Sequence, residues 1–122
     1  MQAARRYFLL MSDLSERKCV PCHGGEPRLE QSRIDEYLEI VGDWELIEVK
    51  GVQRIRRRFR FPDFGSALAF TLEVGRTAEE EDHHPRIVTQ WGSVTVDWWT
   101  HAIGGLHQND FVMAAKTNRL YG

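Results

Sequence analysis

The sequence lacks a long apolar run, a marked excess of charge of one sign and any abundance of cysteine. No apolar stretch approaches the roughly 20 residues that a membrane-spanning helix needs, so we expect no membrane span. The formal net charge of −2 argues against a protein whose main task is to bind nucleic acid. Only two cysteines occur. A chain of 122 residues buries roughly two-thirds of its unfolded surface, so its core needs no disulfide or metal.

The composition is that of an ordinary folded protein, with 42% apolar and 28% charged residues, and the length suits one domain. Near the N-terminus, the apolar patch YFLLM is too short for the core of a signal peptide, and no A-x-A site follows it. We therefore expect a cytoplasmic protein. Residues 1–28 are predicted to form an N-terminal arm with a C-x-x-C motif, and residues 29–122 the folded domain. If translation starts at Met11, residues 1–10 would be a disordered extension.

The first half of the folded domain shows one helix and one hairpin. Ile34, Leu38 and Val41 recur at helical spacing and Gly42 suits a C-cap, which predicts a helix over 31–41. Two short β-like runs follow with Gly51 between them. In the second run, side chains alternate between two faces. The largely apolar face has Ile55, Arg57, Phe59 and Phe61, and the cationic face has Arg54, Arg56, Arg58 and Arg60.

The second half repeats this arrangement. Pro62 and the N-cap candidate Asp63 open a helix. Its apolar stripe consists of Phe64, Ala67, Leu68, Thr71, Val74 and Ala78. The strands RIVTQW and SVTVDWW turn at Gly92, and a terminal helix buries Phe111, Ala114 and Ala115. We therefore predict an α+β fold in the order α-β-β-α-β-β-α, a four-stranded antiparallel sheet with three helices packed on one face.

Three histidines fall where this fold can bring them together. His83 and His84 lie between the long helix and the next strand. In SVTVDWWTH, the alternation that puts Val94, Val96 and Trp98 on one face puts Thr95, Asp97, Trp99 and His101 on the other. Turns at Gly92 and at 104–105 can then gather the three rings, with Asp110 in the first turn of the last helix.

Clustered imidazoles suit proton transfer near neutral pH, because an imidazole pKa of about 6.5 lets one ring donate while another accepts. No serine or cysteine nucleophile motif accompanies them. Each histidine taken alone is more often a satisfied surface or core side chain, but the tandem with a third histidine favours a functional site. Asp110 also fits the N3 position of a capping box, which is a structural alternative to a catalytic role.

The spacing H-H-P-x5-W-x8-T-H-x8-D, from His83 to Asp110, resembles that of the pterin-4a-carbinolamine dehydratase family, in its bacterial branch. The similarity runs from about Trp44 to Leu120. It implies dehydration of 4a-hydroxytetrahydropterin to quinonoid dihydropterin, the recycling step after aromatic amino-acid hydroxylation. Neither metal nor redox cofactor is required. The family also implies a homodimer or homotetramer, and we expect an exposed strand edge or a terminal helix to help form it. Because the family includes non-catalytic dimerisation cofactors and assembly chaperones, such a role is the alternative function.

The resemblance also assigns roles to individual residues. The catalytic set is His83, His84, His101 and Asp110, and the substrate-binding set is Pro85, Trp91, Trp99 and Thr100. We assign acid–base work to His83 and His101, and substrate holding to His84. The chain departs from the family pattern in two places. At position 87 the chain has isoleucine, where animal members have a tryptophan that forms an aromatic wall of the pterin pocket; Trp91 or Trp99 could supply that wall instead. At position 107 it has histidine, where the family usually has a Ser or Thr cap. Packing or a subunit contact would explain each tryptophan equally well.

Two other motifs invite different interpretations. CVPCH, residues 19–23, matches a haem-attachment signature, but that chemistry normally occurs outside the cytoplasm. It supplies at most three zinc ligands, so we interpret it as a reduced, ordered part of the arm. Three imidazoles could also hold zinc, yet adjacent side chains on an extended segment point in opposite directions, and we predict no metal. The arginines at 54–60 are interpreted as a solvated strand face rather than an RNA-binding surface.

Overall fold

The computed structural model describes residues 2–21 and 24–122, which form four helices and four strands. In chain order these are α1 (Gln2–Glu16), α2 (Gln31–Val41), β1 (Glu45–Val49), β2 (Val52–Arg60), α3 (Phe64–Glu81), β3 (Arg86–Gln90), β4 (Ser93–Trp98) and α4 (Gln108–Tyr121). A 3-10 turn covers His101–Ile103. In this part of the chain no helix is both long and apolar enough to cross a bilayer.

The strands form one antiparallel sheet in the order β1-β2-β4-β3, as predicted. Both hairpins turn at the expected glycines. Lys50 and Gly51 have φ values of 52° and 80°, the pair of positive angles that a type I′ turn requires, and Gly92 has a φ of 78°. Because β4 lies inside the sheet, its C-terminal end is held between β2 and β3, beside the start of β3.

Helix α1 corrects the prediction of three helices, since no helix was predicted within the arm of residues 1–28. Residues 2–16 are helical, and α1 packs against α4 and α2. Leu14 is buried in the core, and Lys116 Nζ donates to the carbonyl of Ser15 at 2.9 Å. The physical reason for the error is that this helix carries no acidic residue in its first turn and depends on tertiary contacts, which the local pattern does not reveal.

The core lies between the sheet and the helices. Trp98 is fully buried, and its indole Nε1 donates to Thr117 of α4 at 3.2 Å. The ring of Phe59 lies 4.8 Å from that of Phe70 in α3. Burial of a side chain of this size stabilises the fold by about 1.5–3 kcal/mol. Helix α4 is the most enclosed helix of the described chain, since α1, α2 and α3 all pack against it.

The opposite face of the sheet carries the arginines and one buried acid. Asp97 is fully buried and binds Arg56 through two hydrogen bonds of 2.6 and 2.8 Å. Arg54 lies 3.4 Å from the same carboxylate. Arg58 and Arg60 remain exposed. The cationic stripe is therefore partly neutralised within the sheet.

Helix α3 begins and ends at residues that fix the position of the histidines. Asp63 accepts a hydrogen bond from the Ser66 N–H at 2.7 Å, which confirms the predicted N-cap. At the other end Asp82 adopts a left-handed conformation with a φ of 50°, which aspartate tolerates better than most residues. The chain therefore turns sharply after Glu81 and directs His83 towards α4.

Candidate active site

His83 and Asp110 form the buried centre of the site. The Nε2 atom of His83 lies 2.6 Å from Asp110 Oδ1, and Asp110 is fully buried. The imidazole also stacks on Trp98, with ring centroids 5.7 Å apart and planes within 10°. A carboxylate partner favours the tautomer whose Nε2 carries the proton, so Nδ1 is left as the proton acceptor. The ring is thus held in one orientation by packing and by one hydrogen bond.

Asp110 accepts two further hydrogen bonds. The Thr100 hydroxyl donates to its Oδ2 at 2.8 Å, and the His107 backbone N–H donates to the same atom at 2.9 Å. The second contact is half of a capping box, whose other half is the His107 ring accepting from the Asn109 N–H at 3.0 Å. The capping role of Asp110 therefore coexists with its contact to His83, and neither excludes the other.

His101 lies on a short loop that leaves the end of β4. Thr100 and Gly105 close this loop through an isolated antiparallel bridge. Arg28 packs over Gly105, where a Cβ atom would come within 2.7 Å of Arg28 Cδ. The His101 ring lies 4.4 Å from the Trp99 ring, and its Nε2 donates to the carbonyl of His84 at 3.3 Å. The exposed ring is thus steered by Trp99 on one side and by the His84 backbone on the other.

His84 is oriented differently from its neighbour. Its side chain is 53% exposed, and its Nε2 lies 2.6 Å from Glu79 Oε1. His83 is buried, so the two adjacent rings point in different directions, as expected for an extended segment. Within residues 2–21 and 24–122, no group of three His, Cys, Asp or Glu side chains has the arrangement that could hold a metal ion.

The three histidines line one cavity of about 490 Å³, a volume typical of small-molecule sites. The other residues that line it are Cys19, Val20, Pro21, Glu81, Asp82, Thr100, Ala102 and Asn109. Asp110 lies behind His83 and Thr100 rather than in the lining. The cavity therefore presents ionisable rings on one side and a segment from the N-terminal arm on another.

The remaining sequence-predicted residues lie outside this lining. Pro85, together with Ile87, lines a neighbouring groove beneath α3. Trp91 is 74% exposed at the β3–β4 turn, at the opposite end of the strands from the histidines. Trp99 contacts His101, and the guanidinium carbon of Arg54 lies 3.7 Å from the centre of the Trp99 ring. The structure thus brings Trp99 to the site through His101 and leaves Trp91 away from it.

The arm residues and Asn109 were not predicted for the site. The motif at residues 19–23 is typical of a metal or haem site, and nothing in it indicates a position beside the histidines. Cys22 and His23 lie outside the described residues. Burial, with Glu81 and then Asp110 nearby, raises the pKa of the Cys19 thiol to about 12. Cys19 is therefore a neutral thiol near pH 7.

The proteins that this chain is similar to belong to the family that its histidine pattern resembles. The model of the family described as pterin 4 alpha carbinolamine dehydratase matches residues 27–120. A Chlorobium limicola protein, provisionally named pterin-4-alpha-carbinolamine dehydratase, is 53% identical over 111 residues, which cover 91% of this chain and 98% of the relative. A Gloeobacter violaceus protein with the same provisional name is 49% identical over 88% of this chain and 93% of its own.

Two solved structures share the fold. The crystal structure of a transcriptional coactivator/pterin dehydratase from Brucella melitensis has a TM-score of 0.71 and 34% identity, covering 79% of this chain and all of that one. A pterin dehydratase-like protein, identified as a RuBisCO assembly factor in the alpha-carboxysome, has a TM-score of 0.57 and 21% identity over 66% of this chain and 92% of its own, which shows the fold alone. On the family match and the curated relatives, this chain belongs to the pterin-4-alpha-carbinolamine dehydratase family.

Proposed function

We propose that this protein dehydrates 4a-hydroxytetrahydropterin to quinonoid dihydropterin by histidine acid–base catalysis. Family membership supports a dehydratase. The observation that carries the catalytic part is the convergence of His83, His84 and His101 on one cavity, with Asp110 bound to His83 at 2.6 Å. A tetrahydropterin recycling role beside an aromatic amino-acid hydroxylase, in the cytoplasm, is part of the proposal.

The reaction needs two proton transfers and no other reagent. One acid protonates the 4a-hydroxyl, the C4a–O bond breaks and water leaves. One base removes the N5 proton as the C4a–N5 double bond forms. The two transfers balance, so the enzyme returns to its starting protonation state once the two groups re-equilibrate. Positioned acid–base groups contribute about 10²- to 10⁴-fold each to such a step.

We assign the acid–base work to His83 and His101 and substrate binding to His84. His83 has its Nε2 bound to Asp110, which leaves one ring nitrogen for chemistry. His101 is exposed at the cavity and held at Nε2 by a carbonyl, so its Nδ1 is the free nitrogen. His84 lies at the rim with its ring bound to Glu79, which suits a role in holding substrate.

The test follows the absorbance decay of 4a-hydroxytetrahydropterin with the wild type, His83→Ala and His101→Ala. The matched control is His107→Ser, because His107 caps α4 outside the cavity lining and serine restores a preferred cap. We expect each of the first two variants to lose about 100-fold or more in kcat and the control to retain activity. Retention of wild-type kcat by either alanine variant would contradict its assigned role.

His84→Ala separates binding from chemistry. We expect a raised KM with little change in kcat, since an interaction made equally with substrate and transition state affects KM alone. A fall in kcat at unchanged KM would move His84 into the acid–base pair.

The second candidate function is a non-catalytic interaction module. The Brucella relative is named as a coactivator as well as a dehydratase, and at 34% identity it is close enough to keep this alternative in the test. A wild-type rate equal to the spontaneous dehydration would favour the module.

We also propose that the protein forms a homodimer or homotetramer. Helix α4 is largely covered by the chain's own helices, so it offers little surface for a contact between subunits. Phe64, Leu68 and Leu72 instead form an exposed apolar stripe along α3, between 45% and 55% exposed. We expect light scattering to show an oligomer that Leu68→Glu converts to monomers; a monomeric wild type would overturn this.

A further inference from the structure

We infer that residues 19–21 of the N-terminal arm form a substrate-contacting wall of the active-site cavity, and that Asn109 is the residue that positions this wall. The inference rests on the proposed function, because it takes the ligand to be a reduced pterin. It assigns a role to a part of the chain that lies before the family match, which begins at residue 27.

The arm is anchored at this point by side chains from two helices. Asn109 makes a paired contact with Val20, accepting from its N–H at 3.0 Å and donating to its carbonyl at 2.7 Å. Glu81, the last residue of α3, accepts from the Cys19 N–H at 2.7 Å. The Asn109 side chain is only 4% exposed, so this residue is itself held firmly in the interior. Three hydrogen bonds therefore hold residues 19 and 20 of the arm in place beside the cavity.

Val20 is the side chain of the wall that most needs a partner. It is 56% exposed, yet it lines the cavity together with Pro21. The rest of the lining is mostly polar, with Ala102 as the other small apolar side chain. A bicyclic ring offers apolar faces and polar edges, and small-molecule sites combine apolar contacts with a few polar groups in this way. The histidines suit the edge where protons move, and Val20 suits the apolar part of the ligand.

The same helical turn positions the wall and His83. Asn109 and Asp110 are adjacent in the first turn of α4; one binds the arm and the other binds His83 and Thr100. A shift of this turn would therefore move both sides of the cavity together. Cys19 is not a reactive group in this arrangement, since its thiol is protonated near neutral pH, and the wall acts through shape and contact.

The similarity to a curated relative extends into the arm that forms this wall. The Chlorobium match of 111 residues is longer than the stretch from residue 27 to the C-terminus, so it includes part of the chain that contains the arm.

The test compares Val20→Ala and Val20→Trp with Leu9→Ala and Leu9→Trp. Leu9 is the matched control because it is 58% exposed on α1 and lies outside the cavity lining. Two readouts are needed: the KM and kcat of dehydration, and the calorimetric Kd for 7,8-dihydrobiopterin, which lacks the 4a-hydroxyl group and therefore cannot be dehydrated. We expect both Val20 variants to raise KM and Kd roughly tenfold, with kcat changed less than twofold. The Leu9 variants should match the wild type.

Asn109→Ala should raise KM and Kd in the same direction, and Asn109→Asp should do so as well, because a carboxylate keeps the acceptor for the Val20 N–H but has no donor for the Val20 carbonyl. Unchanged KM and Kd in the Val20 variants, or a loss confined to kcat, would overturn the inference while leaving the proposed function intact. If the wild type binds the pterin but does not dehydrate it, the proposed function fails and the Kd values alone decide the role of the wall. A wild type that binds no pterin overturns both.

Discussion

Asp110 and His83 lie 27 residues apart in the sequence, and their side chains meet at 2.6 Å in the protein interior. The contact joins the first turn of α4 to the segment that follows α3, so two helix ends determine the orientation of one imidazole. Since Asp110 also closes the capping box of α4, its carboxyl group links helix stability to the geometry of the site.

Asp110→Asn should therefore reduce both activity and stability. The amide keeps the size of the side chain but cannot accept from His83, Thr100 and His107 as the carboxylate does. We expect a fall of about 10²- to 10⁴-fold in kcat and a loss of about 1–3 kcal/mol in the free energy of unfolding. Steady-state kinetics and urea unfolding measure the two effects. Asp63→Asn, at the cap of α3 and outside the cavity lining, is the control and should keep full activity; an active Asp110→Asn enzyme would contradict the prediction.

Trp99 should matter to catalysis and Trp91 should not. The Trp99 ring contacts His101 at 4.4 Å and is itself held by the Arg54 guanidinium at 3.7 Å. We expect Trp99→Leu to lower kcat about tenfold by misplacing the His101 ring, with Trp99→Phe recovering part of the loss. Trp91→Leu, at the exposed hairpin turn, should leave kcat and KM unchanged. Equal kinetic effects of the two leucine variants would show that the contact with His101 has no role in positioning.

Asp97→Ala should destabilise the fold without acting on the site directly. The variant leaves Arg54 and Arg56, which are 16% and 33% exposed, without their shared buried carboxylate. Breaking a buried ion pair from one side costs about 3 kcal/mol or more. Arg86→Ala is the comparison, because Arg86 lies 3.7 Å from the same carboxylate but is 49% exposed, and its loss should cost less than about 1 kcal/mol. Chemical unfolding measures both, and similar losses in the two variants would refute the role of burial.

Alkaline pH should weaken the fold through Cys19. Burial raises the pKa of this thiol from 9.0 to about 12, so the unfolded chain releases the proton before the folded chain does. The contribution of Cys19 to stability is therefore fully present below pH 9 and is lost as the pH rises towards 12. In a Cys22→Ser background, the free energy of unfolding should fall more steeply over this range with Cys19 present than with Cys19→Ala. Parallel curves for the two proteins would contradict the raised pKa.

Much of the fold could be predicted because local signals and tertiary structure agree. Gly51 and Gly92 mark both hairpins, and Asp63 marks the start of α3. The strand alternation also placed Trp98 against the helices and Asp97 on the opposite face. In each case the structure follows from the conformational preference of one residue, or from the alternation of side chains along a strand. Neither signal depends on distant parts of the chain.

The parts that escaped prediction depend on long-range contacts. Helix α1 is stabilised by packing on α4, and the arm reaches the cavity through Asn109, 89 residues from Val20. Asp97 was correctly assigned to the open face, but the alternation of β4 says nothing about which arginines of β2 pair with it. The histidines were easier to find, since their spacing matches a family pattern; Trp91 matches the same pattern but lies at the far end of its hairpin.

The close approach of Arg28 to Gly105 constrains substitution at position 105. A side chain at position 105 would meet the aliphatic part of Arg28, so a substitution there requires the arginine side chain to move. Arg28 also donates from Nε to the carbonyl of Ile103, within the loop that carries His101. A substitution at position 105 should therefore also disturb the contact of Arg28 with the loop that carries His101.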